Sequence, residues 1–214
     1  MRLLYADVVD AAVASSAPVL AKKDFHEYLD AVRYTFAKYG TKNCLRNIEK
    51  TFKKIEILLK SRAGIKTLKK KLHICPKNDL TKLENQQCLF VKLYDKLTST
   101  QPFVHWGPLE FWFKTCKGLV EGDIEKRIDE GVAKTNKMYG GLSPKVSKVV
   151  FPHGDMDPWH SLGVLQDLGP DAPVVMVNGT AHCDILSVRA GEPADMKEKR
   201  KYVKELIKKW ISNQ

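Results

Sequence analysis

Two apolar runs near the C-terminal end constrain this chain more than anything else in it. Val146 to Phe151 is the first and Pro173 to Val177 the second; each opens into a polar loop, and a helical stretch from Pro193 to Ile211 closes the chain. Continuous β-branched runs without polar alternation are what strands buried on both faces require. Strand, loop, helix, repeated, is the pattern of a parallel sheet with helices packed against it. In the terminal helix Val203, Leu206, Ile207 and Trp210 share one face, which is expected to lie on that sheet while the lysines face water. At the other end, Ala11 to Ser16 reads as a short buried strand of small residues, closed by Ala17-Pro18, and Leu3, Leu4, Val8 and Val9 fit the tail of an amphipathic helix ahead of it.

From Lys22 to Met138 no strand run stands out. Asp24 is expected to cap a helix running through Val32 and Phe36, and a lysine-rich helix follows Asn43, with Leu45, Ile48, Phe52, Ile55 and Leu59 spaced by three and four. A short helix is expected after Asn78-Asp79, and another from Ile124 to Thr135. The aromatics Phe103, Trp106, Phe111, Trp112 and Phe113 read as core or cap packing rather than a ligand site. The fold class is therefore α/β, with a helical layer interposed between the first strand and the last two.

At 43% hydrophobic and 29% charged residues, the 214-residue chain has globular composition. It contains no apolar run of about 18 residues that could form a membrane span. The net charge of +11 is concentrated: eleven Lys and Arg lie between Lys42 and Lys71 against two acids, Glu49 and Glu56. The same segment carries the helical apolar spacing, so the excess reads as the solvent face of a helix. No zinc-finger spacing, ribonucleoprotein aromatic motif or glycine-rich phosphate loop points to nucleic acid. Cys44, Cys75, Cys88, Cys116 and Cys183 show no Cys-x-x-Cys spacing, which argues against a zinc site or a redox pair and leaves disulfides or buried thiols.

In open α/β sheets, reactive groups sit on loops beyond the carboxyl ends of the strands. The first such loop is Pro152-His153-Gly154-Asp155-Met156-Asp157-Pro158-Trp159-His160, and the second is Asn178-Gly179-Thr180-Ala181-His182-Cys183-Asp184. A carboxylate on one and an imidazole on the other could meet, the carboxylate fixing the ring tautomer so that its second nitrogen serves as a base.

Phe151, His153-Gly154, Asp157-Pro158-Trp159 and Gly163-Val164 resemble the pattern Phe-x-Asn-Gly-x-x-Asp-Pro-Trp-x-x-x-Gly-Val of the serine peptidase family of prolyl carboxypeptidase, dipeptidyl peptidase II and thymus-specific serine protease. Gly179-Thr180-Ala181-His182-Cys183 is similar to that family's histidine motif in its thymus-specific form. Thr135-Asn136, Tyr139-Gly140-Gly141 and the stretch from Met1 through Val19 also match. The resemblance implies the last strands of an α/β-hydrolase sheet, with residues 1–21 and 136–214 in the hydrolase part and 22–135 as a helical cap. It further implies a serine-type exopeptidase cutting short peptides after proline or a similarly small residue, with Asp157 as triad acid and His182 as general base. Asp155 is the competing carboxylate, at a variable position of the pattern. The order Asp157 before His182 is the α/β-hydrolase order.

The same resemblance puts the nucleophile, in a Gly-Gly-Ser-Tyr-x-Gly motif, ahead of Met1. No Gly-x-Ser-x-Gly occurs in the chain, and Ser15 and Ser16 read as strand-end residues. His153 stands in place of the usual Asn, and Gly118 in place of an acidic residue after Thr115-Cys116. The implied partners are short peptides, with no cofactor, metal, nucleic acid or membrane, and a homodimer is allowed for the full-length enzyme. Lysosome or extracellular space is the expected compartment, with any secretory signal on a preceding portion. Disulfides among Cys44, Cys75, Cys88 and Cys116 are then expected to staple the cap, and the acceptor sequence Asn178-Gly179-Thr180 is expected to stay unglycosylated beside the histidine. The alternatives are a catalytically inactive, basic interaction protein on the same remnant and, more remotely, a helical nucleic-acid binder.

Overall fold

The computed structural model describes residues 1–98, 113 and 122–212. The chain divides into two compact units, Met1–Tyr39 with Lys126–Gln214, and Gly40–Glu125.

The first unit holds a parallel sheet in the order β1-β2-β3, formed by β1 (Ala12–Val13), β2 (Val149–Gly154) and β3 (Val174–Val177). β2 is buried along its whole length because both of its faces are covered. On one face Val150, Val175 and Val177 pack with Ile185 and with Met196, Val203 and Trp210 of the terminal helix; on the other, Val149 and Phe151 pack with Val164 and Ala172. This double burial is why the two strand segments carry no polar alternation. β1 is only two residues long. Its partner offers no N–H at Pro152, and the chain leaves the sheet at Ser16, where φ is 51°. Residues Met1 to Asp10 form two separate turns rather than the expected helix tail, closed by Met1 and Tyr5 carbonyls. Leu4 and Val8 are exposed, so no buried face exists to sustain a helix.

Also in this unit, α1 (Glu27–Lys38) begins three residues after Asp24, which does not cap it; His26 is the N-cap and makes no side-chain cap bond. The entry is held instead by Phe25, whose ring lies 5.8 Å from Tyr28 and 5.7 Å from Trp159.

In the second unit the lysine-rich segment is two helices, α2 (Cys44–Leu59) and α3 (Arg62–Lys71). The break falls at Ser61, whose hydroxyl caps α3 by accepting the Gly64 N–H at 3.0 Å. Ile55, Leu59, Leu68 and Leu80 form its core. Asp79 closes a turn onto Thr81, and α4 (Leu83–Thr98) starts later than the expected helix. Cys44, Cys75, Cys88 and Cys183 are free thiols, so no disulfide joins the described cysteines. Cys116 and the aromatic cluster, apart from Phe113, lie outside the described residues.

α5 (Ile124–Tyr139) runs past the expected end at Thr135 and stops at Gly140 and Gly141, with φ of 88° and 53°. Near its end Asn136 pairs with the backbone of Ala21, accepting its N–H at 2.9 Å and donating to its carbonyl at 2.8 Å. α6 (Met196–Ser212) completes the fold.

Two helical glycines should respond to alanine with opposite signs. A Cβ on Gly64 would lie 2.1 Å from the Leu58 carbonyl oxygen, whereas one on Gly131 would meet nothing within 4 Å. Gly131→Ala is expected to stabilise by about 0.5–1 kcal/mol through helix propensity. In Gly64→Ala the same gain is outweighed by a backbone shift costing about 1–3 kcal/mol. Thermal or urea midpoints should therefore rise for the first variant and fall for the second.

Candidate active site

β2 and β3 run parallel with Gly154 level with Val177, so the loops that follow them leave the same edge of the sheet side by side. Contact is close: the Met156 N–H donates to the Thr180 carbonyl at 3.0 Å, and a Cβ on Gly154 would sit 2.3 Å from that same oxygen. Only glycine admits this approach.

Asp157 begins the 3-10 helix Pro158–Leu162 as its N-cap, with Oδ1 accepting the Trp159 N–H at 3.0 Å. Proline is tolerated at the next position because that N–H would have no helical partner. The second oxygen, Oδ2, lies 3.0 Å from His182 Nδ1. Asp157 is fully buried, while the His182 side chain is 26% exposed. A buried carboxylate with one oxygen fixed by a cap and the other on Nδ1 selects the tautomer that leaves Nε2 unprotonated.

The backbone around His182 is held on every side. Gly179, with φ of 72°, donates its N–H to Asp155 Oδ1 at 2.6 Å and to the Tyr39 hydroxyl at 3.0 Å. The Ala181 N–H goes to Asp184 Oδ2 at 2.7 Å, an oxygen that also receives Arg189. Cys183 adopts the left-handed conformation, φ 58°, and donates its N–H to Ser16 Oγ at 2.8 Å. A non-glycine residue held in that region beside a candidate base is a strained position fixed by its surroundings. Thr180 is buried and gives its hydroxyl to the Val177 carbonyl at 2.8 Å, while Asn178 is exposed.

Asp155, the competing carboxylate, is engaged by other groups. Its Oδ2 receives the Tyr39 hydroxyl at 2.6 Å and Lys38 Nζ at 2.9 Å. Burial alone would raise its pKa, but the donors Tyr39, Lys38 and Gly179 outweigh that and hold it below the ordinary carboxylate value. The nearby Tyr34 side chain, the Asp155 carboxylate and the Tyr39 side chain together raise the pKa of Lys38.

Of the remaining sequence candidates, Ser16 Oγ serves as an acceptor, and Ser15 Oγ is buried without a hydrogen-bond partner among the described residues. His153 is buried, and among the described residues neither of its ring nitrogens has a hydrogen-bond partner. Its ring lies against Gly163, where a Cβ would be 2.4 Å from Cε1. Burial depresses the His153 pKa, and the Val164 backbone, short of a proper hydrogen bond, offsets this only in part. Among the described residues no group of three or more His, Cys, Asp or Glu is arranged to hold a metal ion. No described helix is long and apolar enough to cross a membrane. Lys38, Tyr39, Arg189 and the bracing role of Ser16 carried no sequence signal, since each meets the site through tertiary contact alone.

Residues 1–104 and 98–203 match the model of the family described as Serine carboxypeptidase S28. The chain is 33% identical over 113 residues to the thymus-specific serine protease of Mus musculus, covering 52% of this chain and 22% of that protein. Its match to the thymus-specific serine protease of Homo sapiens is 33% over 85 residues, covering 39% and 16%. Similarity to the lysosomal Pro-X carboxypeptidase of Bos taurus is 31% over 78 residues, covering 36% and 16%. The matched stretches thus span between 16% and 22% of these relatives' own length.

The state of His153 sets an acid limit on stability. Its folded pKa lies below the ordinary 6.5, so the unfolded chain binds the proton first. The contribution is complete above the ordinary value and is lost as pH falls through it towards the folded pKa. Urea unfolding between about pH 7 and pH 5 should show stability falling with pH in the native chain. His153→Asn should flatten that slope.

Proposed function

The chain belongs to the serine carboxypeptidase S28 family, a family of serine peptidases, and from that premise we propose that it supplies the acid and base of a Ser-Asp-His triad in a serine-type exopeptidase. The observation that carries this reading is the 3.0 Å contact between Asp157 Oδ2 and His182 Nδ1, made by a carboxylate with no solvent exposure. His182 Nε2 would take the proton from a serine hydroxyl as its oxygen attacks the peptide carbonyl, and would return it to the leaving amine as the acyl-enzyme forms. Water, deprotonated by the same nitrogen, would then release the acyl group. The nucleophile is assigned to polypeptide preceding this stretch in a longer enzyme, together with the oxyanion donors.

Resemblance to the family supports the finer reading: a partial α/β-hydrolase sheet with residues 22–135 as a helical cap, short peptides cut after proline or a small residue, and a lysosomal or extracellular setting. The name of the bovine relative, a lysosomal Pro-X carboxypeptidase, points the same way. A second reading, an inactive basic interaction protein, is favoured by α2, where Arg46, Lys50, Lys53 and Lys54 are exposed opposite buried Ile55 and Leu59.

Assays with proline-containing peptides and a fluorophosphonate probe separate the two. The 214-residue chain alone is expected to show neither turnover nor labelling. Carried behind an upstream Gly-x-Ser-x-Gly segment from a relative, it should show both, and His182→Ala should then cut turnover by at least about a thousandfold. Labelling of the isolated chain at one of its own serines, or full turnover by the His182→Ala protein, would sink the triad assignment.

A further inference from the structure

Asp155 is a buried carboxylate that the triad reading leaves without work, and it touches two separate pieces of the first unit. From α1 and the residue after it come Lys38 Nζ and the Tyr39 hydroxyl, at 2.9 Å and 2.6 Å from Oδ2. From the histidine loop comes the Gly179 N–H, 2.6 Å from Oδ1. Tyr39 closes the triangle, because its oxygen also accepts the Gly179 N–H at 3.0 Å while its proton goes to Asp155. Lys38 Nζ sits 5.0 Å from the Tyr39 ring centroid, within cation–π range. Every partner is a donor to the carboxylate, and one carries a full positive charge, so the arrangement needs the ionised acid and has no use for a neutral one.

Position gives the network its consequence. Asp155 lies two residues before Asp157, and Gly179 three before His182, so the Asp155–Gly179 bond ties together the loops that carry the proposed acid and base. Gly179 is also where the chain turns through positive φ, 72°, on leaving β3. The first strand-exit bond, from the Asp155 N–H to the Val177 carbonyl, is longer at 3.3 Å, which leaves the side-chain bond as the shorter of the two links at this level. α1 also bears on the acid loop through Tyr28, whose ring stands 5.7 Å from Trp159. The acid loop is thereby held at both ends by the same helix.

We propose that Asp155, locked by Tyr39 and Lys38, is a positioning residue that sets the separation of Asp157 from His182 by holding the histidine loop at Gly179. The proposal rests on the reading of Asp157 and His182 as acid and base. Its readout is the tautomer of the His182 ring, which stability alone does not move.

The test uses the chain itself, labelled at histidine, with imidazole nitrogen NMR resolving the Nδ1–H and Nε2–H forms of His182 near neutral pH. The native chain should favour Nδ1–H, and Asp157→Asn should abolish that preference. Asp155→Asn and Tyr39→Phe should each lower the Nδ1–H to Nε2–H ratio by about three- to tenfold, the equivalent of one net hydrogen bond. Tyr39→Phe removes a single hydroxyl and is included because Asp155→Asn could unfold the unit; circular dichroism of both confirms that the fold persists. If both folded variants keep the native ratio while Asp157→Asn loses it, Asp155 does not position the base, and the dyad stands without it. If Asp157→Asn leaves the ratio unchanged, the acid–base reading itself fails and takes the positioning role with it.

Discussion

The parallel pairing of β2 with β3, which sets Gly154 beside Val177, is the constraint on which the rest of the site depends. Parallel strands in register end on the same edge, so two loops more than twenty residues apart in sequence begin as neighbours. The missing side chain at Gly154 lets the Thr180 carbonyl come within bonding distance of the Met156 N–H. From there each loop needs only a few residues to bring its functional group to the other. Burial of β2 on both faces makes this register hard to slip, since a one-residue shift would exchange Val150 and Phe151 between opposed cores.

What the sequence made legible is what periodicity and local chemistry dictate. The two strands are unbroken apolar runs, and α6 buries Val203 and Trp210 of the expected face. Asp157 and His182 stood out because strand-exit loops concentrate polar residues, and the motif resemblance selected among them. Failures occurred where tertiary contacts override local signals. Asp24 is a good cap residue, yet α1 begins three residues on, where Phe25 packs against Trp159 and Tyr28. Leu3, Leu4, Val8 and Val9 have helical spacing, but with Leu4 and Val8 exposed there is nothing for a helix to pack on, and two isolated turns result. The lysine-rich segment has one continuous pattern and still breaks at Ser61, whose cap starts a new helix. Tyr39 and Lys38 reach Asp155 from 116 and 117 residues away, a distance over which spacing carries no information.

Electrostatics in the two units follow different rules. On α2 the cations stand on the exposed face, and their charge is spread into solvent, where screening keeps individual contributions small. Around the sheet edge, acidic groups are few and nearly all engaged: Asp155 by Tyr39, Lys38 and Gly179, Asp157 by Trp159 and His182, Asp184 by Ala181 and Arg189. A net charge of +11 therefore describes the surface and says little about the site.

The contrast between Asp155 and Asp157 shows how two carboxylates two residues apart acquire different capacities. Asp155 is heavily engaged: a phenol, an ammonium and an amide donate to it, and the ammonium compensates its charge directly. Such a group has little left to offer a reacting partner and no reason to change protonation near neutrality. Asp157 is fully buried and, among the described residues, has no lysine or arginine partner; one oxygen takes a backbone N–H, and the other meets an imidazole. That second oxygen is free to hold the imidazole in one orientation and one tautomer. In the proposed triad, the capacity to support a base would come from what Asp157 lacks. A second donor like Lys38 on it would spend its field on a permanent ion pair and leave His182 with an already neutralised neighbour.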